Sequence, residues 1–192
     1  MLSVLFGYLA GSVPFAFLLA RRAGVDVRVA GSGNVGAANV LRTAGTRRAV
    51  AVMTLDVAKG AAAVLIVNLV AGGVWLAALT GAAAIVGHIY PVWLRFHGGK
   101  GVAVAAGVFS VLSPVATGIA ASLFLIIVWM TRYVSLGSIA ATVALPPVAW
   151  WWGAPRAVVV AAAGSGALIL FRHRANLRRL RRGTERRMGS RA

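Results

Sequence analysis

The residues best suited to chemistry in this chain fall in a few short polar stretches. The first reads GSGNVGAANVLR, residues 31–42. Gly31, Gly33 and Gly36 let the backbone approach a ligand closely and expose its N–H groups. A loop of that kind, opening onto a helix N-terminus, attracts phosphate. Ser32, Asn34 and Asn39 add neutral hydrogen-bonding groups, and Arg42 adds a guanidinium that can grip an anion bidentately. A glycine-rich packing turn between membrane helices would explain the glycines alone. It would not call for a serine, two asparagines and an arginine, so the stretch reads as an anion site.

The same glycines match G-x-G-x-x-G, and Asp56 follows Gly36 at the distance of a ribose-binding acid. A dinucleotide-binding unit fails on context. It needs strands alternating with helices, whereas long Ala-, Val- and Leu-rich blocks follow here.

A second stretch, GHIYPVWLRFHGGKGVAV, covers residues 87–104. Gly98, Gly99, Lys100 and Gly101 again offer backbone donors and a cation beside an apolar helix. It is not a Walker loop, because Leu94 stands where that motif needs glycine and Gly101 where it needs Ser or Thr. His88 and His97 flank the loop. A histidine can act as a base near neutral pH, and an interfacial histidine can equally be structural. Asp56 and Lys59, three residues apart, share a helix face. They read either as a structural ion pair or as part of a cavity, since charges at membrane depth face a protein interior. RYVSLGS (132–138) contributes Arg132, Ser135 and Ser138, and the tail places His173 and Asn176 on one face.

This inventory narrows the chemistry. The acids are Asp26, Asp56 and Glu185 alone, with three histidines and no cysteine. Neither a carboxylate cluster for Mg²⁺ nor a zinc ligand set is expected, and no metal or cofactor is called for. There is no G-x-S-x-G elbow. Arginine, lysine, asparagine, serine and backbone N–H groups suit a phosphate-bearing substrate and a developing oxyanion.

The elements that must position these groups are membrane helices. The chain has 192 residues, 60% hydrophobic and 12% charged, and a mean hydropathy of +0.86. Soluble domains carry about a quarter charged residues. Apolar blocks of about 18 residues or more read as membrane spans. The first basic residue, Arg21, follows the first block, so residues 2–20 read as an uncleaved helix rather than a secretory signal.

The net charge of +17 is concentrated, with nine of the twenty Lys and Arg between Arg172 and Arg191. That is the positive-inside pattern facing anionic lipids, not a nucleic-acid surface. Four basic stretches on one side predict one crossing over 2–20 and two each over 49–87, 102–131 and 133–171. The turns fall near Gly72-Gly73, Ser113-Pro114 and Gly153-Ala154-Pro155. The result is an all-α integral membrane protein of seven transmembrane helices, with the N-terminus outside and the C-terminus cytoplasmic. It forms a single domain over 1–192 with a basic tail at 172–192. Residues 102–131 are too few for two full crossings. Thirty residues span about 45 Å, against about 60 Å required, so helices there are short or re-entrant and a wet cavity is expected.

GSVPFAFLLAR (11–21), GSGNVGAANVLR, GHIYPVWLRFHGGKGVA, RYVSLGSI and RHRANLRRLRRGTE occur in an order that resembles the acylphosphate-dependent glycerol-3-phosphate acyltransferases, the PlsY family of bacteria. The resemblance covers nearly the whole chain. It implies a multi-pass enzyme of the bacterial inner membrane with its site facing the cytoplasm. Such an enzyme moves a fatty acyl group from acyl phosphate to the 1-hydroxyl of sn-glycerol 3-phosphate, giving lysophosphatidic acid and phosphate as the first acylation of phospholipid biosynthesis. Its implied partners are both substrates, membrane lipids and a peripheral enzyme that produces acyl phosphate.

By this resemblance Ser32, Arg42, Lys100, Ser138, His173 and Asn176 correspond to the glycerol phosphate-binding set. Asn34, Asn39 and His88 lie in motifs used around the reacting carbonyl. Gly98, Gly99 and Gly101 shape a phosphate loop, with Gly31 and Gly33 in the first binding stretch. The proton acceptor is His88 or a phosphate oxygen of the substrate. Two departures stand out. Ala38 replaces a threonine, and DVAKGAAA lacks a proline after Lys59. The alternative is a small transporter or flippase for an anionic metabolite or lipid, which would also set cations at a wet cavity. Transport favours polar groups on both sides, whereas this chain keeps them on one. A membrane scaffold would not require the glycine-embedded polar groups.

Overall fold

The structure is a computed structural model that describes residues 1–189; the end of the basic tail, 190–192, lies outside the described residues. Ten α-helices and one short 3-10 turn are present among them, and no strand. The first apolar block is broken in two, α1 (Leu2–Ser12) and α2 (Phe15–Arg21), at Val13-Pro14. Pro14 lacks an N–H and cannot continue the ladder. A short helix α3 (Ala37–Thr43) follows the first glycine stretch. Then come α4 (Thr46–Val70), α5 (Val74–Ile89), α6 (Val102–Leu112), α7 (Pro114–Thr131), α8 (Val134–Trp151), α9 (Arg156–Arg172) and α10 (Arg174–Arg181).

The three expected turns separate α4 from α5, α6 from α7 and α8 from α9. Among the described residues five segments are long and apolar enough to cross a membrane, and six if the bent pair α9–α10 counts as one. At 11 residues, α6 is about 16 Å long against about 30 Å of hydrocarbon. It is the short member that the length of segment 102–131 requires.

Lipid is as apolar as leucine, so helices in a membrane associate by close packing rather than by hydrophobic expulsion. Small residues set that packing here. A Cβ on Gly11 of α1 would strike the backbone of Ala84 in α5, and one on Gly107 of α6 would strike Val57 of α4. The main core combines α4, α5, α6 and α9 around Val64, Ile85, Val108, Phe109 and Val158. Leu65, Leu79, Leu125 and Trp129 face outward, where lipid tails would cover them. A second apolar cluster, with Val27, Val35, Val40, Val52 and Leu94, lies beneath the first glycine stretch and anchors it to α2, α3 and α4.

Replacing Gly11 by Leu is expected to destabilise the protein by about 1–3 kcal/mol, read as a lower Tm in detergent. Gly118→Leu, on a face where an added Cβ meets nothing within 4 Å, is expected to leave Tm close to that of the parent.

Candidate active site

Three of the polar stretches converge on one cleft of about 890 Å³, and RYVSLGS (132–138) lies outside its lining. Its walls come from the loop before α3, the loop between α5 and α6, and the α9–α10 tail. Arg28, Arg42, Arg95, Lys100, Arg172, Arg179 and Arg186 line it, with Glu185 the carboxylate among them. A cavity walled by so many cations concentrates anions.

Local bonding fixes each wall. In the first loop, Arg28 forms a bidentate pair with Asp26, with a closest contact of 2.6 Å. The hydrogen bonds from Arg28 hold the Asp26 carboxyl down at about 2. Gly31 and Gly33 both adopt positive φ. Asn39, 1% exposed, clamps the loop from inside. Its Oδ1 accepts from Ser32 N at 2.9 Å, and its Nδ2 donates to Val27 O and Ala30 O at 3.0 Å each.

In the second loop, Gly98 N donates to Ile89 O and Gly99 N to His88 O, both at 3.1 Å. These bonds curl the chain back onto the end of α5. Gly101 caps α6 in the left-handed region at φ 89°, which favours glycine. Arg172 of α9 reaches across, donating to Gly98 O at 3.4 Å.

The tail closes the third side through a chain of short hydrogen bonds. Lys100 Nζ donates to Asn176 Oδ1 at 2.6 Å, and Asn176 Nδ2 donates to Glu185 Oε1 at 2.6 Å. Ser135 Oγ donates to the same oxygen at 2.8 Å, and Arg179 Nε to Oε2 at 2.6 Å. Burial would raise the Glu185 carboxyl, but the bonds from Asn176, Ser135 and Arg179 outweigh it and hold it low. Burial pushes Lys100 down to about 8, helped by the neighbouring cations Arg179, Arg42 and Arg172 against the pull of Glu185. Burial also lowers His173 to about 4, with Lys100 adding to the effect, so this ring is neutral at pH 7. Its Nδ1 lies 2.8 Å from Ile169 O. A carbonyl only accepts, so the proton sits on Nδ1 and the lone pair on Nε2.

Of the residues singled out in the sequence, Gly31, Ser32, Gly33, Asn34, Arg42, His97, Gly98, Lys100 and Asn176 line the cleft. Asn39, Gly99, Gly101, Ser138 and His173 are buried behind it. Ser138 Oγ bonds Val134 O within its own helix, at 2.9 Å. His88 lines a separate small cavity of about 10 Å³ that adjoins the cleft at Val35, Leu94 and Gly98. Behind His88, Lys59 and Asp56 form a buried ion pair at 2.7 Å. Sequence reasoning passed over Arg28, Arg95, Arg172, Arg179, Arg186 and Glu185, because arginines at helix ends already satisfy the positive-inside rule. Glu185 carried a usable signal as the one acid in a strongly basic tail.

Asn39→Ala strips three backbone groups of their buried partner. Its expected effect is a loss of about 1–3 kcal/mol of stability, read by thermal unfolding. Asn39→Asp, which cannot donate to the two carbonyls, is expected to fall the same way.

The family model described as "Glycerol-3-phosphate acyltransferase" matches residues 1–183. A glycerol-3-phosphate acyltransferase of Rubrobacter xylanophilus is 46% identical, covering 100% of this chain and 96% of its own. One of Geotalea daltonii is 48% identical over 93% and 92%. Among solved structures, PlsY (YgiH), an integral membrane glycerol 3-phosphate acyltransferase, in its glycerol 3-phosphate form superposes with a TM-score of 0.93 at 43% identity, covering 98% of this chain and 94% of that one. Its lysophosphatidic acid form gives 0.91.

Proposed function

The chain belongs to the glycerol-3-phosphate acyltransferase family and is an integral membrane acyltransferase of phospholipid biosynthesis, and we propose that its donor is a fatty acyl phosphate and its product 1-acyl-glycerol 3-phosphate. The observation that carries this reading is the cationic cleft. About 890 Å³ with seven cations and one carboxylate is room and charge for two phosphate-bearing molecules side by side, within the usual size of ligand pockets.

Lys100, Arg42, Ser32 and Asn176, from the three walls of the cleft, hold the phosphate of glycerol 3-phosphate, backed by Ser138 and His173. Asn34 and the loop N–H groups face the donor, and Gly98 to Gly101 cradle its phosphate. The acceptor hydroxyl oxygen attacks the acyl carbonyl carbon, and the carbon–oxygen bond to phosphate then breaks. Phosphate is a good leaving group, so positioning and oxyanion stabilisation carry most of the rate. The hydroxyl proton passes to a phosphate oxygen. This assignment is favoured because a Lys59 ammonium 3.1 Å from His88 Nδ1 takes that lone pair and leaves the ring proton on Nε2, so the ring has no lone pair free to act as a base.

We further propose an orientation in the bacterial inner membrane with the N-terminus outside and the basic tail in the cytoplasm. Seven apolar segments then cross or enter the bilayer, α6 as the short one. The cleft opens to the cytoplasm, where a peripheral enzyme supplies acyl phosphate.

Purified protein given palmitoyl phosphate and labelled glycerol 3-phosphate is expected to yield labelled lysophosphatidic acid, and Lys100→Ala is expected to abolish it. No product from folded protein would discard this reading in favour of transport, tested by liposome uptake. The pH dependence follows from charge. A phosphate monoester becomes dianionic above about pH 6. Lys100, at about 8 in the free protein, is cationic below that value and neutral above it. KM for glycerol 3-phosphate is therefore expected to rise by up to about tenfold per pH unit above 8. Lys100→Arg should flatten that limb.

A further inference from the structure

The glycerol phosphate reading gives the buried pair behind the cleft no part in holding substrate. Asp56 and Lys59 lie on α4, 2% and 8% exposed. Charges buried at membrane depth are costly and are kept where they do something. Lys59 Nζ makes an ion pair with Asp56 Oδ1 at 2.7 Å. It also donates to Val13 O at 2.8 Å, in the break between α1 and α2, and lies 3.1 Å from His88 Nδ1. A lysine ammonium donates and cannot accept, so its bond to the ring requires His88 Nδ1 to carry the lone pair. The imidazole proton then sits on Nε2. Asp56 Oδ1, at 3.6 Å from Nδ1, is too far to bond it instead.

His88 Nε2 faces the glycine loop. A Cβ added to Gly99 would collide with Nε2, and one added to Gly98 would collide with His88 O. Ring and backbone of His88 therefore both abut the two residues that precede Lys100. The small cavity beside them is lined by Asp56, His88, Gly98 and Gly99. Its volume of about 10 Å³ is about that of one water-sized probe.

We propose that Lys59, paired with Asp56, is a positioning residue. It holds His88 as the Nε2–H tautomer against Gly99, and so fixes the loop that presents Lys100 to the substrate phosphate. His88 in this account braces the loop by contact with Gly99 and is not a base. The proposal rests on the acyltransferase reading for its kinetic consequence, and on geometry alone for the tautomer.

The tautomer is measured first. In the His97→Gln/His173→Gln protein only one histidine remains, and ¹⁵N NMR of labelled histidine in nanodiscs reports which nitrogen carries hydrogen. Nε2–H with a bare Nδ1 is expected; hydrogen on Nδ1 overturns the proposal. Next, Asp56→Asn/Lys59→Met removes both charges together, leaving no lone buried ion. The NMR signature in this background is expected to shift toward the other tautomer, and in the otherwise unaltered protein KM for glycerol 3-phosphate is expected to rise roughly tenfold with kcat changing less. An unchanged tautomer and KM overturn it.

A glutamine amide nitrogen can stand at the position of Nε2 and an asparagine nitrogen at that of Nδ1. His88→Gln is therefore expected to keep at least about tenfold more kcat/KM than His88→Asn, and equal loss in both counts against the bracing role. If the parent protein transfers no acyl group, the acyltransferase reading fails by itself, while the tautomer result still stands or falls on its own spectrum.

Discussion

The site depends on one hydrogen-bonded chain, from Lys100 through Asn176 to Glu185. Seven cations facing one cleft repel one another, and a tail that contributes three of them has no electrostatic reason to close over the rest. Glu185 supplies that reason. Its two oxygens take bonds from Asn176, Ser135 and Arg179, which draws α8, α10 and the tail to one point. Asn176 then has its amide orientation set. Its nitrogen is committed to the carboxylate, so its oxygen faces Lys100. The arrangement keeps Lys100 in place without neutralising it, and the cleft keeps a net positive field for an incoming phosphate.

The first two walls are built on a different principle. They are held by apolar packing and by backbone bonds to the helices beneath them. Asn39 spends its whole side chain on the loop that carries Ser32 and Asn34. Gly98 and Gly99 bond back to α5. Irregular backbone near a membrane is tolerated only where protein or a wet cavity satisfies it, and both loops meet that condition from within.

Much of this was legible in the sequence, for identifiable reasons. Gly72-Gly73, Ser113-Pro114 and Gly153-Ala154-Pro155 interrupt apolar blocks with residues that break helices, and chain length alone showed that residues 102–131 could not hold two full-length helices, though not which of the two is short. The glycine-embedded Ser, Asn and Lys groups were legible because membrane packing does not require them. Two things were hidden. The arginines of the cleft looked like ordinary flanking charges, since the same residue type answers to topology and to substrate. The meeting of Lys59 with His88 was hidden because 29 residues and a whole helical hairpin separate them in the chain. Asn39 shows a third kind of limit. Its type announces hydrogen bonding, but only the fold decides whether the amide turns toward a ligand or inward to the loop.

The three walls of the cleft are drawn from the beginning, the middle and the end of the chain, near residues 28–42, 95–100 and 172–186. That distribution bears on how the protein is made. As the chain leaves the ribosome and its helices enter the bilayer in order, the residues of two walls precede the clasp at Glu185. A nascent or truncated chain would present an open groove of positive charge, able to attract phosphates and anionic headgroups but unable to fix Lys100 among them. On that order of synthesis, the cleft can fix Lys100 only after the segment that carries Asn176 and Glu185 has emerged.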